Sequence, residues 1–166
     1  RTQGGEAVTF LDTPGHADFS AEAERAVGVL DYAILVISGT DGIQAHTETL
    51  WRLLGRYNVP AFIFVTKMDV SSRDKDGLMD ELRSRFGGQC VDFTGSDWEE
   101  LALCGDEALE EYSAAGAVTD GTLARLTAQR ALFPCFFGSG LKLDGVDALI
   151  DAIDRYTVQP DYPAAF

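Results

Sequence analysis

Short apolar runs alternate with stretches of helical periodicity in the first part of the chain. Ala7–Leu11, Tyr32–Ile37 and Ala61–Val65 are apolar and partly β-branched, which is typical of strands. Between them, apolar residues recur every three or four positions over Asp18–Leu30 and again from Thr47 to Leu54, which predicts two helices. Strands that are apolar throughout and alternate with helices indicate an α/β fold with three layers, in which a mostly parallel sheet carries helices on both faces.

A more polar and acidic stretch follows before the next apolar run. Residues 74–130 hold short amphipathic segments separated by glycines, which predicts a helical insertion before the last strand. The last strand is predicted at Leu132–Phe137, and Pro134 places it at a sheet edge because proline cannot donate a ladder hydrogen bond. Val146–Arg155 carries an apolar face and predicts the closing helix.

Composition and charge bear on the partners, the compartment and the domain organisation of the chain. The 166 residues carry 27 acidic and 13 basic side chains, a net charge of −14, so contact with nucleic acid through this chain is not expected. Cys90, Cys104 and Cys135 lack the spacing of a zinc site, and three widely spaced thiols fit the reducing cytoplasm. We expect one domain over residues 1–157 and a linker to a following domain over residues 158–166.

The first candidate loop is Asp12-Thr13-Pro14-Gly15-His16, directly after the first predicted strand. Open α/β sheets bind ligands beyond the carboxyl ends of their strands. Asp12 can hold Mg²⁺ through water, the N–H of Gly15 can approach a terminal phosphate, and His16 can orient an attacking water. Pro-Gly is also a common turn, so the pattern alone leaves an ordinary turn open.

The second candidate loop is Thr66-Lys67-Met68-Asp69, after the third predicted strand. The Asp69 carboxylate can accept from N1–H and the 2-amino group of guanine, whereas adenine would leave it unpaired at a cost of roughly 1–3 kcal/mol. The aliphatic stem of Lys67 can lie along the base. Four residues alone favour the alternative, a surface loop with a Lys–Asp ion pair.

The third candidate loop is Gly138-Ser139-Gly140-Leu141-Lys142, after the last predicted strand. A backbone N–H of this loop can donate to guanine O6, and Leu141 can pack against the ring. Taken alone, the segment is better explained as a strand-to-helix turn. All three loops fall at predicted strand ends in the order that a GTP site requires, and this agreement favours guanine-nucleotide binding over three unrelated turns.

These residues resemble the translational GTPases. Asp12–Phe19 is similar to their Asp-Thr-Pro-Gly-His segment, Thr66–Asp69 to their N-K-x-D, and Gly138–Val146 to the elongation factor G pattern G-S-A-x-K-x-x-G-V. Glu110–Tyr112 and Leu132–Pro134 resemble the tetracycline-resistance ribosomal protection proteins. The resemblance implies a P-loop NTPase-like G domain that binds GTP or GDP with Mg²⁺ and hydrolyses GTP. It also implies the ribosome as partner and activator, with His16 as the catalytic residue.

Three departures from the family pattern change the expectation. Thr66 stands where the family has Asn and lacks the amide that ties the guanine loop to the phosphate loop, and Gly140 stands where the family has Ala. No G-x-x-x-x-G-K-[ST] phosphate loop occurs in the sequence, and the first switch is missing with it. We therefore expect an N-terminally truncated G domain that by itself binds GTP weakly and does not hydrolyse it.

The missing part also bears on assembly. In the family, the absent first strand lies between the Ala7–Leu11 and Tyr32–Ile37 strands, so its loss leaves unpaired edges. A homodimer, a strand-swapped assembly or direct re-pairing of the two strands would cover the gap. The alternative function is a non-catalytic interaction domain that keeps the GTPase motifs as structural turns and uses the acidic insertion as its contact surface. These residues do not distinguish tetracycline protection from translocation.

Overall fold

The computed structural model describes residues 8–13, 20–95 and 97–159, and the elements below belong to those ranges. The strands are β1 (Ala33–Ser38), β2 (Ala61–Thr66), β3 (Cys90–Asp92) and β4 (Phe133–Phe137). The helices are α1 (Ser20–Val27), α2 (Ala45–Arg56), α3 (Lys75–Phe86), α4 (Trp98–Ala102), α5 (Asp106–Ala115), α6 (Asp120–Ala128) and α7 (Val146–Tyr156). No helix among these residues is long and apolar enough to cross a bilayer.

The four strands form one parallel sheet in the order β1-β2-β4-β3. Ala33 pairs with Ala61 at the start of the β1–β2 register, and Ser38 pairs with Thr66 at its end. β2 and β4 are inner strands, which explains why their sequences are apolar without alternation. The predicted parallel α/β fold is therefore confirmed.

Helices cover both faces of this sheet. One face packs against α2 and α3 through a cluster that includes Leu35, Ile63, Val65, Leu54, Leu82 and Phe86. The other face packs against α7 through Phe62, Phe64, Phe136, Leu149 and Ile153. A third cluster joins β3 to α4, α5 and α6 and includes Val91, Leu101, Ala108, Leu123 and Leu132. The two inner strands thus have side chains packed on both faces, and they carry the loops described below.

The prediction that the Pro134 strand lies at a sheet edge is wrong. β4 lies between β2 and β3. Phe133 N–H donates to the Gln89 carbonyl on the β3 side, with N···O 2.9 Å, and the register with β2 begins only at Cys135. Pro134 has no N–H to donate, but it precedes the first residue of β4 that pairs with β2. The strand therefore tolerates proline at this position.

The strand predicted at Ala7–Leu11 is also wrong over the part that the structure describes. Residues 8–13 form no strand, and Phe10 is 68% exposed; Ala7 lies outside the described residues. The segment and the neighbouring edge of β1 line a cavity of about 200 Å³ instead of pairing. A β-like sequence forms a strand only when a neighbour in register accepts its hydrogen bonds, and the described residues do not pair here.

Candidate functional site

The loops after β2 and β4 lie side by side at the carboxyl edge of the sheet. Val65 and Phe137 are paired at the ends of these strands. Gly138 N–H donates to the Val65 carbonyl with N···O 2.9 Å, and Met68 N–H donates to the Gly138 carbonyl with N···O 3.0 Å. The parallel register therefore brings together two loops that are far apart in sequence. We call them the β2 loop (residues 66–69) and the β4 loop (residues 138–142).

Asp69 is the electrostatic centre of these loops. Its Oδ2 lies 3.1 Å from Lys142 Nζ. The hydrogen bond from Lys142, and then that from the Ser139 hydroxyl, hold the pKa of Asp69 below its usual range. Ser139 is itself only 2% exposed, so its hydroxyl is fixed in place. Asp69 is consequently an ionised acceptor at neutral pH, held at a defined position at the sheet edge.

Thr66 joins the two loops through its side chain. The Gly140 N–H donates to Thr66 Oγ1 with N···O 3.2 Å. Thr66 is half-buried and Gly140 is exposed, so this hydrogen bond lies at the surface of the site. The hydroxyl that replaces the family's amide therefore has a partner, and that partner is the β4 loop.

The backbone at both loops adopts conformations that most side chains avoid. Lys67 has φ 61°, and Leu143, just after the β4 loop, has φ 59°, both in the left-handed region. Such residues cost of order 1–3 kcal/mol and cluster at functional sites. Ser139 N–H donates to the Asp144 carbonyl with N···O 3.0 Å, which closes the β4 loop below its tip. Leu141 is 94% exposed at that tip, where a planar ligand can pack against it.

A glycine behind the site lets the next loop approach the β2 loop. Gly39 N–H donates to the Thr66 carbonyl with N···O 2.8 Å, and the Ser71 hydroxyl donates to the Gly39 carbonyl with O···O 2.9 Å. A Cβ on Gly39 would lie 2.9 Å from Met68 Sδ. The sequence patterns do not single out Gly39. They also do not assign Lys142 a role, although Lys142 is the lysine of the G-S-A-x-K pattern, and that match is the signal that could have identified it.

The Asp12 loop is described only in part. Asp12 is exposed, while Gly15 and His16 lie outside the described residues. No group of three or more His, Cys, Asp or Glu side chains in the described ranges could hold a metal ion. Asp12 has the oxygen ligand that Mg²⁺ prefers, and this ion commonly takes one or two carboxylates together with water and phosphate oxygens.

Comparison with known proteins places the chain in a family. Residues 3–159 match the family described as the elongation factor Tu GTP-binding domain. The chain belongs to this family. It is 34% identical over 165 residues to the tetracycline resistance protein TetW of Butyrivibrio fibrisolvens, covering 88% of this chain and 26% of that protein. It is also 34% identical over 175 residues to an oxytetracycline resistance protein of Streptomyces rimosus, with the same two shares.

The fold agrees with that assignment. The crystal structure of a Thermus thermophilus protein superposes with a TM-score of 0.76 at 22% identity, over 90% of this chain and 30% of that one. The P-loop NTPase-like α/β fold of a translational GTPase G domain is therefore confirmed. The chain spans about a quarter of the length of the relatives it matches.

The lowered pKa of Asp69 gives a testable pH dependence. Because the folded-state pKa lies below the usual value, Asp69 stabilises the fold above its unfolded pKa, and this contribution is lost as pH falls through the folded pKa. Lys142→Met removes the largest cause, so we expect the Asp69 pKa to rise towards its usual value. A side-chain carboxyl titration by carbon-13 NMR measures this shift.

The matched control for that titration is Lys75→Met. Lys75 is paired with Asp92 at 2.6 Å and is not among the groups that shift the pKa of Asp69, so its removal is expected to leave the Asp69 pKa unchanged. An Asp69 pKa that is the same in Lys142→Met as in the wild type would contradict the role assigned to Lys142.

Proposed function

We propose that the β2 and β4 loops bind the guanine base of GTP or GDP. The observation that carries this proposal is the ionised Asp69 carboxylate, held at the sheet edge beside the β4 loop and its exposed backbone. Asp69 accepts from N1–H and the 2-amino group of the base, and a backbone N–H of the β4 loop donates to O6. The stem of Lys67 and the exposed Leu141 pack against the two faces of the ring.

The protein to which this domain belongs is proposed to be a ribosome-associated GTPase. The family assignment and the two resistance proteins support a translation-related role in the cytoplasm, of elongation factor G or ribosomal-protection type. Asp12 would hold Mg²⁺ through water, Gly15 would donate to a terminal phosphate, and His16 would orient the attacking water. The ion would supply neutralisation of the phosphate charge.

Two further proposals concern organisation. Residues 1–157 form the nucleotide-binding domain with its helical insertion over residues 74–130, and residues 158–166 lead to a following domain. Neither the relatives nor the described contacts support a homodimer or a strand-swapped assembly, so neither is part of the proposal.

One observation favours the alternative of a non-catalytic interaction domain. Both Gly140 N–H and the Asp69 carboxylate already have partners inside the chain, as structural turns require. A ligand-binding site and a structural turn differ in whether a base can replace those partners. Binding of a guanine nucleotide in preference to an adenine nucleotide decides between the two functions.

We expect the chain of 166 residues to bind GTP weakly and not to hydrolyse it. Each charge-assisted hydrogen bond to the base contributes about 1.5–3 kcal/mol, whereas association costs about 4–15 kcal/mol. Two or three base contacts therefore leave little net affinity without phosphate contacts. Calorimetric titration with GTP and Mg²⁺ measures the affinity, and a phosphate-release assay measures hydrolysis.

A micromolar dissociation constant for GTP in that titration would contradict the expectation. It would mean that residues outside the two loops bind the phosphates. ATP at the same concentration is the control, because Asp69 has no matching donors on adenine.

A further inference from the structure

The polar groups that would recognise guanine already have hydrogen-bond or ion-pair partners inside the chain. Gly140 N–H donates to Thr66 Oγ1 at 3.2 Å, and Asp69 Oδ2 lies 3.1 Å from Lys142 Nζ. Ser139 N–H donates to the Asp144 carbonyl at 3.0 Å, and this hydrogen bond closes the loop, so the N–H does not face a ligand. Gly140 is thus a donor at the site whose present acceptor is a side chain that a ligand can replace.

We propose that the Thr66 hydroxyl competes with the guanine O6 atom for the Gly140 N–H. The inference rests on the proposed guanine site and adds a residue that sets its affinity. One N–H cannot donate at full strength to two acceptors in different directions, so the base must break the Thr66 contact to form its own. Without a nucleotide, Thr66 therefore keeps the Gly140 N–H hydrogen-bonded within the chain, and this lowers the affinity of the site for the base.

The surroundings of this hydrogen bond make the exchange feasible. Thr66 is half-buried and Gly140 is exposed, so water or a ligand can replace either partner as the bond opens. The loop frame does not depend on the bond, because Met68 N–H donates to the Gly138 carbonyl and Ser139 N–H to the Asp144 carbonyl. Gly140 can release Thr66 while the two loops stay joined.

Space at the site is consistent with competition by hydrogen bonding rather than by bulk. A Cβ placed on Gly140 would lie 3.5 Å from Thr66 Oγ1, an ordinary contact distance. The Thr66 side chain therefore leaves room beside Gly140, and what it withholds is the N–H. Replacing the hydroxyl by a methyl group keeps the shape and frees the donor.

The first part of the test needs no ligand. Amide hydrogen exchange of Gly140 is measured in the nitrogen-15-labelled chain, in Thr66→Val and in Thr66→Ser. We expect several-fold faster Gly140 exchange in Thr66→Val and near wild-type exchange in Thr66→Ser, which keeps a hydroxyl acceptor. The Met68 amide, bonded to the Gly138 carbonyl, reports whether the loops remain joined and should not change. Equal Gly140 exchange in all three chains would overturn the inference.

The second part titrates the same three chains with GDP, with ADP as the control. We expect GDP to bind Thr66→Val about three- to tenfold more tightly than the wild type and Thr66→Ser, from the loss of one competing neutral hydrogen bond. Equal or weaker GDP binding by Thr66→Val, with the Met68 amide unperturbed, would overturn the competition while the guanine site stood. Absence of any GDP-specific shift in all three chains would instead contradict the proposed function, and the inference with it.

Discussion

Asp69→Asn should abolish the preference of this chain for guanine and transfer it to xanthine. The amide presents one acceptor and one donor, whereas guanine offers two donors at N1 and the 2-amino group. Xanthine offers N1–H and the O2 carbonyl, which match the amide. We expect GDP affinity to fall about ten- to a hundredfold, because one charge-assisted hydrogen bond is lost and a donor faces a donor.

NMR titration with GDP and with xanthosine diphosphate measures that change of preference. Asp80→Asn, which removes the same charge from the exposed surface of α3, is the matched control and should bind GDP as the wild type does. If Asp69→Asn retained the preference for GDP over xanthosine diphosphate, Asp69 would not be the group that recognises the base.

Gly138→Ala should cause the largest loss of stability among substitutions at the site. A Cβ at this position would lie 2.0 Å from the Asp144 carbonyl oxygen and 2.8 Å from its carbon. Both are backbone atoms, so the β4 loop itself must move and its Ser139–Asp144 hydrogen bond must stretch. Overpacking of this kind costs about 1–3 kcal/mol, which for a domain of this size lowers the unfolding midpoint by roughly 3–10 °C.

Thermal unfolding followed by circular dichroism measures this loss. Gly88→Ala is the matched control, because a Cβ there would meet nothing within 4 Å. Equal midpoints for Gly138→Ala and Gly88→Ala would show that the loop moves freely, and it would then not be the rigid frame that the site requires.

The site is built on the best-packed part of the sheet. β2 and β4 are the inner strands, and their side chains pack on both faces, against α2 and α3 on one and against α7 on the other. Loops that leave such strands are held by the core as well as by their own hydrogen bonds, which positions Asp69 and the β4 loop before any ligand arrives. The described part of the Asp12 loop, by contrast, follows a segment that pairs with no described strand.

The sequence was sufficient to locate, along the chain, the two strands that carry the loops, although it predicted the wrong position in the sheet for the second of them. The Ala61–Val65 run became β2 (Ala61–Thr66), because an inner parallel strand must be apolar on both faces and few other elements are. The Ala7–Leu11 prediction failed because β-like residues need a strand partner, and a single segment does not reveal whether one is present. The prediction that Pro134 lies in an edge strand failed for a related reason. The cost of a missing N–H depends on the strand register, and only the paired strands define that register.

The sequence patterns predicted that the β2 and β4 loops lie together, but not how their residues contact one another. The motif residues of the β2 and β4 loops do lie together at one edge. The Thr66–Gly140 hydrogen bond joins residues 74 positions apart, and the Lys142–Asp69 pair also crosses between the loops. Such contacts follow from strand register and from the turn closed at Asp144, and neither is encoded in a local pattern.

Recognition of a guanine base by the β2 and β4 loops is the proposal on which the function of this chain depends. Its most direct test is titration of the labelled chain with millimolar GDP and, separately, ADP, followed by nitrogen-15 NMR. We expect GDP-dependent shifts at the amides of residues 66–69 and 139–142 and no matching shifts with ADP. Equal shifts with both nucleotides, or GDP shifts that avoid these two loops, would contradict it.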